Sequence, residues 1–243
     1  MKTIFVSGTC RATTVVFDGR EKLQSIHSQR TNNAPNINFL GNFTNVKGHI
    51  QFIKFLQEKI KLPEEIQRLR FPFMSMPLLQ GEYHTVAERI EIIRDFMPKC
   101  DIFLIEICSR KNYKVDFYGI NEEILLEDCI NDDNKTPYNK DSFEDIYKDI
   151  DILCNLLPKG SKIILQTHFR LDIITGDPKN VIESREIIYN AVKKYCEDNP
   201  EIKHFDPSFL LRDHREYMQD NEHFNIRKLD CIFDYLYKNY IES

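Results

Sequence analysis

Three residue types in this chain, at two places, have the makings of an acyl-transfer site: a cysteine, a histidine and an aspartate. Gly8-Thr9-Cys10 follows the short apolar run Thr3–Ser7. That spacing puts Cys10 on a tight turn between a strand and a helix. Backbone N–H groups and the helix dipole at such a position lower a thiol pKa, and the same N–H groups can hold an oxyanion. The alternative is a small residue packed into a tight turn. Near the other end, Asp220-Asn221-Glu222-His223 lies in a polar loop just before the last helical segment. Side chains three apart in such a loop can aim at one point, with His223 as base for Cys10 and Asp220 orienting the imidazole. Here the alternative is a surface loop whose Asp220 caps a turn.

Further candidates come from the residues that follow other apolar runs. Cys108-Ser109-Arg110-Lys111-Asn112 follows Asp101–Ile107, and Thr167-His168 follows Lys162–Gln166. Arg110 is suited to a carboxylate or phosphate. His168 is either a substrate contact, a rival base, or a ring satisfied by backbone at a strand end. No GxxxxGK[ST], no GxGxxG after the first strand, no HExxH and no GxSxG occurs. The seven cysteines are odd in number and none forms a CxxC pair. That argues against a zinc site or a disulfide framework, and for a reducing, cytoplasmic setting.

The elements that would position these residues follow from hydrophobic patterning. Thr3–Ser7, Leu23–His27, Asp101–Ile107, Lys162–Gln166 and Ile202–Phe205 read as short buried strands. Val46–Ile60, Thr85–Met97, Ser142–Leu157, Val181–Cys196 and Arg227–Tyr240 read as amphipathic helices, with a further short helix from Pro63 toward Leu69. Arg11–Val16 begins a helix despite its β-branched residues. Strands alternating with helices predict an α/β fold: a three-layer α/β/α sandwich around a parallel sheet of about five strands. Sites in such sheets collect at the carboxyl ends of the strands. Residues 1–243 read as a single domain, with an irregular acidic insertion at about 112–140 over one end of the sheet. The polar stretch Ser28–Asn38 reads as a loop.

Hydrophobic residues are 42% and charged residues 29%, as in a soluble globular domain, and the net charge of −5 argues against a general nucleic-acid binder. No apolar run approaches a membrane span. The sequence carries no signal for an oligomeric state.

With its end motifs placed, the chain resembles the SGNH (GDSL-like) hydrolase superfamily, whose fold is flavodoxin-like. That family opens on a strand and a Gly-Asp-Ser turn and closes on Asp-x-x-His before the last helix; here the blocks read Gly8-Thr9-Cys10 and Asp220-Asn221-Glu222-His223. The Gly-x-Cys turn is similar to GSCFA-type proteins, to a capsule-biosynthesis acetyltransferase family and to proteins of giant DNA viruses. The resemblance implies Cys10 as nucleophile, with Gly8, Thr9 and Arg11 shaping its turn. It implies Gly41, after Phe39-Leu40, and Asn42 as oxyanion-hole donors. The family's third block, Gly-x-Asn, is replaced by Cys108-Ser109-Arg110, with Asn112 two residues on. The activity implied is acyl transfer on a carbohydrate or nucleotide-sugar. In its favoured form it is a sugar acyltransferase of glycan biosynthesis. Acetyl-CoA would be the acyl donor and no further cofactor is required. Arg11, Arg30, Arg110, Lys111 and Arg170 all follow predicted strands and would supply the basic mouth such a donor needs. The alternatives are a carbohydrate esterase or deacetylase with the same triad, and a catalytically silent domain that binds a glycan or a protein.

Overall fold

Lys2–Ser7, Ile102–Ile107, Lys162–Thr167 and Lys203–Phe205 are four short, largely buried strands that pair in parallel in the computed structural model of the chain. The model describes residues 2–18, 23–25, 44–62, 86–115, 124–126, 138–170, 181–208, 215–220 and 223–242. Along the chain the described elements are β1 (Lys2–Ser7), α1 (Cys10–Asp18), β2 (Leu23–Ser25), α2 (Val46–Leu56), α3 (Val86–Phe96), β3 (Ile102–Ile107), β4 (Lys111–Val115), β5 (Ile124–Leu126), β6 (Tyr138–Lys140), α4 (Phe143–Leu156), β7 (Lys162–Thr167), α5 (Glu183–Asp198), β8 (Lys203–Phe205) and α6 (Leu229–Leu236). The three-residue β2 pairs in parallel along the free edge of β1, so the order across the sheet is β2-β1-β3-β7-β8.

This order has a functional consequence. The chain leaves β1 toward one side of the sheet and returns to build β3 on the other. The crevice outside the carboxyl ends of β1 and β3 is therefore the switch point where open α/β sheets bind ligands. The residues exiting these two strands are Gly8-Thr9-Cys10 and Cys108-Ser109-Arg110.

Alternation along the strands sorts the core into two clusters. Phe5, Phe103, Ile105, Ile107 and Leu165 face α2, α3, α4 and α5. Ile4, Val6, Ile102, Leu104 and Ile164 face α1 and α6. Helices thus cover both faces, and the apolar runs without alternation are strands buried on both sides. In α1, burial of Ala12, Val15 and Val16 against this sheet outweighs the poor helix propensity of its threonines and valines. In α4, Ser142 caps the first turn in a reciprocal box with Asp145.

The structure departs from the sequence reading in places. The 112–140 segment, expected to be irregular, holds the antiparallel pairs β4–β5 and β4–β6. Its turn residues and charges mask strands of only three to five residues. The closing helix is shorter than Arg227–Tyr240. A 3-10 turn at Ile226–Lys228 precedes α6 and a π turn at Tyr237–Ile241 follows it, bringing Ile241 into the core. Helix α2 stops at Leu56, where Glu58 takes a positive φ of 56°. The loop expected at Ser28–Asn38, the helix expected from Pro63, and Arg30, Gly41 and Asn42 lie outside the described residues. Among the described residues no helix is long and apolar enough to cross a membrane.

Candidate functional site

The turn after β1 is held by a carboxylate that the sequence reading passed over. Glu106, on the central strand β3, is fully buried at 0% exposure. Its Oε2 accepts from the Thr9 N–H at 2.8 Å and from the Thr9 hydroxyl at 2.6 Å. Its Oε1 accepts from the Arg11 Nε at 2.6 Å. A buried carboxylate is tolerated only with such partners. Gly8 allows the approach: a Cβ there would lie 2.6 Å from the Glu106 Cβ, well inside van der Waals contact. Thr9 then caps α1, its carbonyl accepting from the Thr13 N–H at 3.2 Å and the Thr13 hydroxyl at 3.1 Å. Cys10 follows as the first residue of α1. Gly8, Thr9 and Arg11 therefore set the backbone path that presents Cys10.

A second layer supports the same strand ends from α2. The buried His49 donates from Nε2 to the Glu106 carbonyl at 2.8 Å, and its Nδ1 lies 2.9 Å from the Ser7 hydroxyl. Asn45 caps α2, accepting from the Gly48 N–H at 2.7 Å. Just before it, the Thr44 carbonyl accepts from the Cys108 and Ser109 N–H groups at 2.8 and 2.9 Å. The exit of β3 is thereby pinned to the entry of α2.

Asp220 and His223 sit on a hairpin-like loop. Met218 and Phe224 pair across its base and are buried in the α1–α6 core, where Phe224 lies against Phe169. The Gln219 N–H donates to the His223 carbonyl at 3.0 Å, and the Asn225 N–H to the Tyr217 carbonyl at 2.7 Å. At the tip, Asp220 Oδ1 accepts from the His223 N–H at 2.7 Å, while His223 Nδ1 lies 2.9 Å from Oδ2. A carboxylate can only accept, so Nδ1 carries the proton and Nε2 of the neutral ring is the basic nitrogen. The Asp220 and His223 side chains are 43% and 50% exposed, so this tip faces solvent.

His168, at the exit of β7, is buried at 4% exposure and donates from Nδ1 to the Phe169 carbonyl at 3.1 Å. Burial, then the charges of Arg11 and Arg185, push its pKa far below the usual histidine value, and His223 adds to the same effect. His168 is therefore neutral at physiological pH, with Nε2 as an acceptor. The ring of Phe169, the residue after His168, lies 6.3 Å from that of Phe224, the residue after His223.

A cavity of about 420 Å³ opens at this edge of the sheet. Its described lining includes Arg11, Ser109, Arg110, Lys140, His168, Ser184 and Arg185. The sequence reading singled out Arg11, Ser109, Arg110 and His168. It missed Lys140, which arrives on β6, and Ser184 and Arg185, which arrive on the first turn of α5. Asn112 lies on β4, beside this loop cluster, opposite Asn139. Arg170 is engaged elsewhere: its guanidinium bonds Glu186 and Asp206 at 3.0 and 3.4 Å and lies over the Tyr189 ring. Among the described residues no three His, Cys, Asp or Glu side chains gather as metal ligands would. No protein-family model matches the chain, and no curated protein matches it either.

Proposed function

We propose that the chain is an acyl-transfer enzyme of SGNH type, with Cys10 as nucleophile, His223 as base and Asp220 as the orienting carboxylate. The fold it rests on is a three-layer α/β/α sandwich. The Asp220–His223 pair carries the reading. The carboxylate holds Nδ1 and leaves Nε2 as the basic nitrogen, on a loop anchored in the α1–α6 core.

In this mechanism Nε2 of His223 takes the proton from the Cys10 Sγ. The thiolate attacks the acyl carbonyl, and N–H groups at the start of α1, with Gly41 and Asn42 assigned by resemblance, hold the oxyanion. The tetrahedral adduct expels the donor's leaving group, which takes the proton from the imidazolium. An acceptor hydroxyl, deprotonated by His223, then attacks the thioester and frees Cys10. The acceptor is a carbohydrate or nucleotide-sugar. The basic cavity lining supports acetyl-CoA as donor, and with it the transferase form over the esterase. The free cysteines among the described residues support a reducing, cytoplasmic setting.

The test is to incubate the protein with acetyl-CoA or with an activated aryl acetate and map the acetylated peptides by mass spectrometry. An acetyl group on the Cys10 peptide, absent in Cys10→Ala, is the expected result. Asp220→Asn should slow its formation by about 10²–10⁴-fold, the usual worth of general base catalysis. Labelling by the aryl ester alone would move the assignment to the esterase form. Labelling by neither would sink the proposal.

A further inference from the structure

We propose that His168 is a hydroxyl-recognition residue in the wall of the cavity, its Nε2 accepting from a carbohydrate hydroxyl other than the one that reacts. That a ligand's hydrogen belongs at this nitrogen rests on the ring and the cavity. That the ligand is the acyl acceptor rests on the acyl-transfer reading above.

The two nitrogens of this ring are in different situations. Nδ1 lies 3.1 Å from the Phe169 carbonyl, which can only accept, so Nδ1 carries the hydrogen and Nε2 keeps its lone pair. The residue is only 4% exposed, yet it lines the cavity of about 420 Å³. Among the described residues Nε2 has no hydrogen-bond donor. A buried polar atom without a partner is unfavourable, and at a cavity wall a ligand's hydrogen removes that cost. The ring is also fixed in place. Besides the Nδ1 bond, it stands edge-on to the Phe169 ring, with centres 4.1 Å apart. Phe169 is fully buried, and its carbonyl also accepts from Arg185 Nη1 at 3.3 Å. Just beyond it, the Arg170 N–H donates to the Ser208 hydroxyl at 2.8 Å, and the Ile182 N–H to the Arg170 carbonyl at 2.9 Å. The acceptor is therefore preorganised, and binding has little to order there.

The chemistry of the wall selects the ligand. Arg11, Arg110, Lys140 and Arg185 also line the cavity, and guanidinium and ammonium groups carry donors alone, so none of them can receive a ligand's hydrogen. Nε2 of His168 can, and it has no hydrogen of its own to offer. An ether, an ester or a carboxylate has no hydrogen to give and would leave the ring unpartnered. A carbohydrate has one hydroxyl for the ring and another to react. His168 is not a second base. Burial and the charges of Arg11 and Arg185 hold its pKa far below the ordinary histidine value, so the ring stays neutral. It orients one hydroxyl while His223 takes the proton of the other.

Nitrogen NMR of the full-length protein with isotope-labelled histidine tests this at pH 7, the His168 signals being assigned by their loss in His168→Gln. The parent ring should show the neutral form with its hydrogen on Nδ1. Glucose, galactose, mannose and N-acetylglucosamine are the probes, each beside its fully O-methylated form, with pantetheine to represent the arm of an acyl donor. At least one sugar should move the Nε2 resonance and leave Nδ1 nearly in place, and its O-methylated form should not. Affinity for that sugar should fall by about tenfold or more in His168→Phe, which removes the acceptor, and by less in His168→Gln, whose amide oxygen still accepts. Should His168→Phe not fold, the parent spectra decide alone. Cys10→Ala should bind the sugar as the parent does, so a failure of the acyl-transfer reading leaves this measurement standing. A ring protonated at pH 7 or carrying its hydrogen on Nε2, no Nε2 shift with any sugar at high millimolar concentration, an equal shift with the O-methylated forms, or unchanged affinity in a folded His168→Phe would overturn the assignment. So would a shift with pantetheine and with no sugar, which would put the acyl donor at this ring.

Discussion

Glu106 is the residue on which the local structure of the candidate site turns. One carboxylate, sealed from solvent, accepts from the Thr9 N–H, the Thr9 hydroxyl and the Arg11 guanidinium, and so fixes both residues that flank Cys10. Removing one partner of a buried ion pair leaves the other charge uncompensated, which costs about 3–5 kcal/mol. Glu106→Gln should therefore lower unfolding stability by roughly that much in urea titrations, and the double variant Arg11→Met, Glu106→Leu should recover part of the loss. A loss well under 1 kcal/mol would mean that the carboxylate does not organise the turn. At this scale the sequence was half legible. Cys10, Asp220 and His223 stand out because their types and spacing imply chemistry without any fold. Glu106 was visible as the one acid inside the apolar run Ile102–Ile107, and a lone acid in a doubly buried strand requires a buried partner. Its partner Arg11 lies 95 positions away, beyond the reach of local spacing.

At the scale of elements, the long apolar and 3.6-periodic segments were legible because burial alone specifies them. Short pieces were not: β4, β5 and β6 are strands of three to five residues in a polar stretch, and nothing local distinguishes them from loop. Lys140 escaped notice for that reason, and Arg185, on the legible helix α5, because it reaches the cavity only through tertiary placement. Capping shows how local chemistry still sets an element's start. The Ser142 hydroxyl accepts from the Asp145 N–H at 3.1 Å, and Asp145 Oδ2 accepts from the Ser142 N–H at 3.0 Å. Helix α4 packs on α2 and α5 and buries Ile146, Ile150 and Leu153 in the larger core. Ser142→Ala should cost about 1 kcal/mol by thermal or urea unfolding, whereas Ser142→Asp, which keeps a capping oxygen, should cost much less. Equal losses in the two variants would contradict the capping role.

For the whole molecule, the sheet is what gathers residues from both ends of the chain at one edge, and its buried titratable groups tie stability to pH. Burial lowers the His204 pKa to about 4, and lowers that of His168 further. Both bind protons more readily when unfolded, so their contribution is full above about 6.5 and is lost as pH falls toward 4. Asp149 has the opposite sign. Burial, then the nearby Asp141 and Asp145 charges acting against Lys47, raises it to about 6. Its stabilising protonated form is lost as pH rises through that value. Asp149→Asn should accordingly raise Tm at pH 8, by about 2–4 °C per kcal/mol gained, and leave it nearly unchanged at pH 4. A gain of equal size at both pH values would contradict this assignment.

The central claim, that the β1–α1 turn and the Asp220–His223 loop together activate Cys10, is tested most directly by its alkylation rate at pH 7, read peptide by peptide. Burial pushes the thiols of Cys100, Cys154 and Cys196 up to about 12, which makes them slow internal references. Cys231 is exposed and serves as the ordinary accessible thiol. Cys10 should react faster than Cys231 and lose that advantage in His223→Ala. A Cys10 that reacts no faster than Cys231, with or without His223, would contradict the account.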